Sequence, residues 1–439
     1  MARDDEDDFT RATRAYRYVS PNLSLFEQLF LNPFWDRFVH VYPRWLAPNV
    51  ISVAGGLCAL LMYALDAAQS PANEGAAPQH MYLAFAGLLL CYQTLDGTDG
   101  KQARRTKSGS ALGELMDHGV DALVTGFVAM VVADCTQFSL DSVVPWACAF
   151  GGQMTFYMSN LTLLHRGRQQ FNVVDIMELQ WVMIVTLLVA GVAGTDFWRD
   201  TLLLVPPPLE PVADLAAHRA FGLTPHAPYG YMQARLIVAF GAVFGTVSNF
   251  LMYAFIASEP YRVAPEAVPE HVRRRAPGTG LAALARQIVT ILGYGALCFL
   301  ARHRLVQAAE AAEPGNAALR HDALRALLTG SCFAFADLMD RILVMRVTHH
   351  RVPAVPPTLL VVALFVLGAP LLRARAFLGV RWWWFAALAG VASHLAFFVW
   401  VSRKLARALG IRVFRINPPP ADVAPAATVV EVGVAKKAA

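Results

Sequence analysis

Four aspartates in an otherwise apolar sequence, Asp96, Asp99, Asp117 and Asp121, are the residues best placed to do chemistry. The first two are spaced i, i+3 and the last two i, i+4, so each pair lines one face of its own helix. Two such helices side by side would bring all four carboxylates together. Buried carboxylates are costly unless a positive charge compensates them, and hard oxygen donors of this kind suit Mg²⁺ or Mn²⁺. Two such ions can clamp both oxygens of a phosphoryl displacement, so the chemistry expected is at a phosphate. The residues in between fit a nucleotide diphosphate. Gly100 and Ala103 allow close backbone approach, Gly113 opens the second helix, and Arg104 can meet phosphate oxygens as a planar fork. A solvated loop, in which the aspartates merely pair with Lys101, Arg104, Arg105 and Lys107, does not account for helical spacing on both sides.

The elements that must carry these residues are membrane helices. The chain has 439 residues, of which 56% are hydrophobic, and its mean hydropathy of +0.43 is too high for an ordinary soluble protein. The expected fold is an all-α polytopic membrane protein with about ten transmembrane helices, near residues 46–66, 81–100, 113–134, 143–163, 178–196, 232–257, 281–302, 322–346, 357–373 and 382–402. The acidic start (Asp4, Asp5, Glu6, Asp7, Asp8) has no apolar region after it, so no cleavable signal is expected.

Four segments follow. Residues 1–45 are a cytosolic N-terminal segment in which Phe26, Leu29, Phe30, Phe34, Trp35, Phe38 and Val39 recur at helical spacing. This pattern suits either an interfacial helix or a helix packed on the cytosolic face. Residues 46–257 form a six-helix catalytic part, 258–402 add four further spans, and 403–439 are a cytosolic tail. The proline-rich stretch 203–230 reads as a lumenal loop.

Charge sets the orientation. Lys101, Arg104, Arg105 and Lys107, then Arg166 and Arg168, then Arg262, Arg273, Arg274 and Arg275 mark loops on one side, expected to be cytosolic. The loops at 67–80 and 135–142 hold no Lys or Arg. Arg373, Arg375 and Arg381 go against this pattern. The net charge of +5 is therefore mostly topological, and no nucleic-acid motif accompanies it. The six cysteines are scattered and read as packing residues.

The spacing Asp96-x2-Asp99-Gly100-x2-Ala103-Arg104-x8-Gly113-x3-Asp117-x3-Asp121 resembles the full signature of the CDP-alcohol phosphatidyltransferase family. The words L-D-G-T-D-G-K-Q-A-R-R-T and G-E-L-M-D-H-G-V-D are similar to its eukaryotic choline/ethanolamine phosphotransferase branch, and the likeness runs from about Tyr16 to about Gln180. The resemblance implies transfer of phosphocholine or phosphoethanolamine from CDP-choline or CDP-ethanolamine to diacylglycerol, with release of CMP. It implies two Mg²⁺ or Mn²⁺ ions held by Asp96, Asp99, Asp117 and Asp121, and a CDP-alcohol subsite of Asn49, Gly100, Ala103, Arg104 and Gly113. Asn49 enters because Ala47-Pro48-Asn49 resembles a family segment, although an Asn before a helix is also an ordinary cap.

A neutral alcohol must lose a proton, so a base is required. The wider family points to Asp121, but a metal-bound carboxylate is a weak base. His118 titrates near neutral pH and lies beside Asp117. Its orienting partner could be Glu114, at i−4, or Glu178, in a segment that resembles the branch's D-x-x-E-x-Q. Glu178 is favoured, because an acidic entrance to a span is unusual. Phe156, Tyr157, Trp146 and Trp181 flank the helices where an amine pocket would lie, Asp337, Asp340 and Arg341 most simply form an internal ion pair, and the loop residues His349 and His350 take no assigned role. The terminal Lys436 and Lys437 match a retrieval signal for the endoplasmic reticulum, so a multi-pass protein of that membrane or the Golgi, with a cytosol-facing site, is expected. Membrane lipids are the expected surroundings, and a homodimer is compatible with the sequence. The competing readings are a family member acting on inositol or glycerol phosphate and, of another class, a cation-coupled transporter.

Overall fold

A computed structural model describes residues 3–16, 24–166, 176–204, 231–258, 280–348, 358–369 and 382–416. Among them the chain is helical apart from one antiparallel ribbon, β1 (Leu202–Leu204) against β2 (Tyr231–Gln233), with Leu203 opposite Met232. Two helices precede the membrane part: α1 (Arg3–Ala15) and α2 (Asn32–Phe38), the latter entered through a π turn at Glu27–Leu31. Then come α3 (Pro48–Gln69), α4 (Gln79–Thr106), α5 (Ala111–Cys135), α6 (Val144–Arg166), α7 (Ile176–Ala193), the short α8 (Asp196–Asp200) and α9 (Ala234–Ser258). The chain continues with α10 (Leu281–Ala312), α11 (Ala317–Thr348), α12 (Thr358–Gly368) and α13 (Trp382–Leu409). Each of the ten predicted apolar stretches overlaps one of these helices, with residues 357 and 370–373 of the ninth outside the described residues.

The helices α3, α5, α7, α9, α10 and α13 are long and apolar enough to cross a membrane, and the chain is a multi-pass membrane protein. Length sets α12 apart, at 11 residues. Polarity sets α4, α6 and α11 apart, and packing explains it for the last two. Gln153, Ser159 and Asn160 of α6 and Asp337, Asp340 and Arg341 of α11 are buried against other helices, so these polar groups avoid lipid. A count of ten spans thus rests on the sequence pattern.

The four later helices are not a loose appendage to the first six. α11 lies against α5, where a Cβ on Gly126 would collide with Cys332 Sγ and one on Gly119 with Asp340 and Phe398. Small residues let two membrane helices approach closely. At the end far from the aspartate-bearing loop, Arg325 of α11 reaches Asp66 (3.3 Å), the Ser70 carbonyl (2.7 Å) and Asn73 Oδ1 (3.1 Å). Beside it, Asp134 accepts from Ser70 Oγ (2.5 Å), Tyr82 Oη (2.7 Å) and the Gly75 N–H (2.9 Å). Arg325→Met removes the cation while leaving Asp66 buried. Breaking such a pair costs about 3–5 kcal/mol, so a large drop in detergent-solution Tm is the expected result.

Arginines also occur at this end, where the short loops hold none, and acidic partners explain them. Arg320 meets Asp141 through two 2.6 Å hydrogen bonds and His321 meets it at 3.1 Å. Burial pushes the Asp141 carboxyl up, but the bonds from His321 and Arg320 outweigh it and hold the group below the usual carboxylate range. All six cysteines are free, as expected of packing residues.

The N-terminal segment packs on the helices along one side and is exposed along the other. Its inner side docks on α4. Trp35 is buried over Gly97, where any Cβ would overlap the indole ring. Lys101 donates to Asn32 and to Asp36 (2.6 Å), and Arg105 donates to the carbonyls of Val39 (3.1 Å) and Tyr42 (2.7 Å). Its outer side presents Leu29, Phe30, Phe34 and Trp45 as exposed apolar groups, a surface suited to the lipid interface.

Candidate active site

Four residues separate α4 from α5. Lys107 ends α4 in the left-handed region (φ 55°), and the Ser108 N–H returns to the Ala103 carbonyl at 2.9 Å. Ser110 then caps α5, its Oγ accepting the Gly113 N–H at 3.2 Å. The tight turn holds the last turns of α4 and the first turns of α5 at one end of the molecule, which is the juxtaposition that the spacing of the aspartates required.

Asp96, Asp117 and Asp121 converge, with one oxygen from each lying within 4.8 Å of the others. Asp99, expected as a fourth ligand, lines the same cavity but is turned to the Ser52 hydroxyl of α3. Tyr92, one turn before Asp96, donates to Asp121 Oδ1 at 2.6 Å. Donors about 2.1 Å from a Mg²⁺-sized ion lie at most about 4.2 Å apart, so small side-chain rotations would close the three oxygens onto one cation. Three half-buried carboxylates with all-oxygen chemistry fit a hard divalent ion.

His118 is buried on α5, and its Nδ1 lies 2.8 Å from Asn160 Oδ1 on α6. The Phe156 ring packs 6.2 Å from the imidazole. Glu114, one of the two expected partners of His118, is instead ion-paired with Arg346. Glu178, the other, lines the cavity that holds His118, but the Nδ1 position belongs to Asn160. Next to Glu178 stands Glu27. Burial pushes the Glu27 carboxyl up to about 7, the Ser24 backbone opposes this, and the charge of Glu178 adds to it.

These groups share one cavity of about 610 Å³ between α4, α5, α6, α7 and α9. It is polar at the mouth, with Asp96, Gly100, Arg104, Asp117 and Asp121, and it becomes apolar toward Val128, Val132, Phe138 and Val238. Lys101 also lines the mouth, although Asn32 and Asp36 engage its ammonium.

Not every predicted residue joins this wall. Asn49 spends its Nδ2 on the Val413 carbonyl (2.7 Å), and it, Ala103 and Gly113 lie outside the lining of the cavity. Of the candidate amine-binding aromatics, Trp146 bonds the Leu140 carbonyl (3.0 Å) and Tyr157 the Gln287 carbonyl (3.1 Å), both structural ties. Trp181 packs edge-on to Phe26, and only Phe156 faces the cavity. Asp337 pairs with Arg341 at 2.9 Å, as expected, whereas Asp340 faces His394 at 3.6 Å. His349, His350, Lys436 and Lys437 lie outside the described residues.

Sequence reading missed Ser52, Tyr92, Asn160 and Glu27. Tyr92 was legible in principle, at i−4 from Asp96 on the same helix face. Asn160 carried only the signal of an amide inside an apolar span.

Comparison with known proteins agrees with this geometry. The chain is 40% identical over 192 residues to cholinephosphotransferase 1 of Gallus gallus, covering 43% of this chain and 56% of that protein. It is 37% identical over 157 residues to choline/ethanolaminephosphotransferase 1 of Arabidopsis thaliana, covering 35% of this chain and 40% of that one. An uncharacterized CDP-alcohol phosphatidyltransferase class-I family protein of Dictyostelium discoideum is 35% identical over 189 residues, covering 42% of this chain and 44% of that protein. The matches thus span about half the length of these relatives. Residues 45–205, which hold every converging aspartate, His118, Asn160 and Glu178, match the CDP-alcohol phosphatidyltransferase family, and this part of the chain is a CDP-alcohol phosphatidyltransferase domain.

Proposed function

We propose that this protein transfers phosphocholine or phosphoethanolamine from CDP-choline or CDP-ethanolamine to diacylglycerol, giving the phospholipid and CMP. The observation that carries this reading is a single cavity in which an acidic, cation-ready mouth runs into an apolar chamber. A CDP-alcohol is charged and a diacylglycerol is almost wholly apolar, so a site joining them needs both environments.

In this reading Asp96, Asp117 and Asp121, with Asp99 beside them, hold two Mg²⁺ or Mn²⁺ ions. The bound ions supply Lewis-acid neutralisation of the diphosphate. Arg104, facing the cavity one turn after Gly100, meets phosphate oxygens, and Gly100 leaves room for the backbone to approach them. The acceptor hydroxyl gives its proton to His118, its oxygen bonds to the β-phosphorus, and the bond from that phosphorus to the bridging oxygen breaks, so that CMP leaves. Glu178, on the same cavity wall, favours the imidazolium that forms. The basic loops support a mouth that faces the cytosol, where a charged, water-soluble CDP-alcohol can enter, in a protein of the endoplasmic reticulum membrane.

The apolar chamber disfavours inositol or glycerol phosphate as acceptor. Among the described residues lining the cavity, the only lysine or arginine side chains are Lys101 and Arg104, both at the mouth. Purified protein given labelled CDP-choline or CDP-ethanolamine with diacylglycerol, inositol or glycerol 3-phosphate in turn is expected to transfer label only to diacylglycerol. Label in a phosphocholine or phosphoethanolamine ester of inositol or of glycerol 3-phosphate would overturn the acceptor assignment.

A further inference from the structure

We infer that Asn160 is a positioning residue that fixes the tautomer of His118, leaving Nε2 as the proton-accepting nitrogen. This rests on the reading of His118 as the base.

Two hydrogen bonds carry the inference. The Asn160 Nδ2–H donates to the Phe156 carbonyl, one turn earlier on α6, at 2.9 Å, and the Asn160 Oδ1 faces His118 Nδ1 at 2.8 Å. A backbone carbonyl only accepts, so the amide nitrogen must point to it and the amide oxygen to His118. The flipped amide would set Oδ1 against the carbonyl of Phe156, acceptor against acceptor. An amide oxygen cannot donate, so Nδ1 carries the hydrogen in the neutral ring. The lone pair is then on Nε2. An asparagine on the helix of α6 therefore decides which nitrogen of a histidine on α5 can take a proton, and the 6.2 Å packing of Phe156 steadies the ring.

Asn160 suits this task better than a carboxylate. It is almost fully buried, at 1% exposure, and a neutral acceptor orients the imidazole without adding a further negative charge to a cavity already lined by Asp96, Asp99, Asp117, Asp121 and Glu178. It also differs from Glu114, whose carboxylate is committed to Arg346.

The test is a set of variants assayed at saturating diacylglycerol. Asn160→Leu keeps volume but offers no acceptor, and kcat is expected to fall about 10–100-fold, the range seen for partners that orient a histidine from behind, with KM for the CDP-alcohol within about twofold of wild type. Asn160→Asp keeps an acceptor oxygen and is expected to retain at least a tenth of wild-type kcat. In the His118→Ala background, Asn160→Leu is expected to add no further loss, because the residue acts through His118. The proposal is overturned if Asn160→Leu keeps near-normal kcat, or if its loss persists undiminished when His118 is already alanine. Should Asn160→Leu fail to fold, Asn160→Asp decides: a folded protein with as little activity as His118→Ala contradicts the role. If His118→Ala itself stays active, the base assignment fails, which is a separate outcome.

Discussion

His118→Ala is expected to lower kcat by about 10²–10⁴-fold, the usual contribution of a positioned general base, while CDP-alcohol binding stays close to wild type. The split follows from where the residue sits. His118 lines the cavity one position after Asp117, and its Nδ1 faces Asn160 on α6. Removing the imidazole leaves the converging carboxylates and Arg104 in place, and these are the groups that would hold the diphosphate. The helix should tolerate alanine, which has the highest helix propensity. Thermal unfolding and calorimetric binding of CDP-choline, measured beside turnover, separate loss of the base from loss of the fold. Near-normal turnover in the alanine variant would return the role to Asp121.

Asp117→Asn is expected to be as severe, for a different reason. It removes the negative charge of one of three carboxylates whose oxygens lie within 4.8 Å of each other, and loss of transition-state charge stabilisation by several kcal/mol corresponds to about 10³-fold or more in rate. Its effect on stability should run the other way. Three adjacent half-buried carboxylates repel one another, so replacing one with an amide is expected to raise the Tm measured in chelator or leave it unchanged. The Tm gain on adding Mn²⁺, which wild type should show by mass action, is expected to shrink or vanish. An inactive variant with unchanged Tm in chelator and unchanged response to Mn²⁺ would mean that Asp117 is not a ligand.

How much of this was legible in the sequence varies by residue. The four aspartates were legible because helical spacing on both sides of a short loop is a local property, and Ser110 and Lys107 supply the cap and the turn that the loop needs. The positions of the helices were legible for the same reason, since hydropathy is read along the chain. What depends on packing between distant segments was not. Nothing near Asn160 in sequence says that it meets His118, 42 residues earlier. Nothing in the sequence says that Gly97, inside the motif, leaves its space to Trp35. Lys101 and Arg105 read as topological charge, and only the structure shows that they also hold the N-terminal segment against α4. The late helices seemed peripheral because their polar residues carry no family pattern. Only the fold shows α11 buried against α5, with Asp340 beside Gly119.

The central claim is that one cavity couples a CDP-alcohol to a lipid hydroxyl. Purified protein in nanodiscs loaded with diacylglycerol and given CDP-choline or CDP-ethanolamine with Mg²⁺ or Mn²⁺ tests it most directly, by measuring CMP and new phospholipid in the same samples. The account predicts equal amounts of the two products with at least one of the donors, none of either in chelator, and none when diacylglycerol is left out. CMP released without matching phospholipid, or no turnover with either donor by a folded, metal-loaded protein, would contradict it.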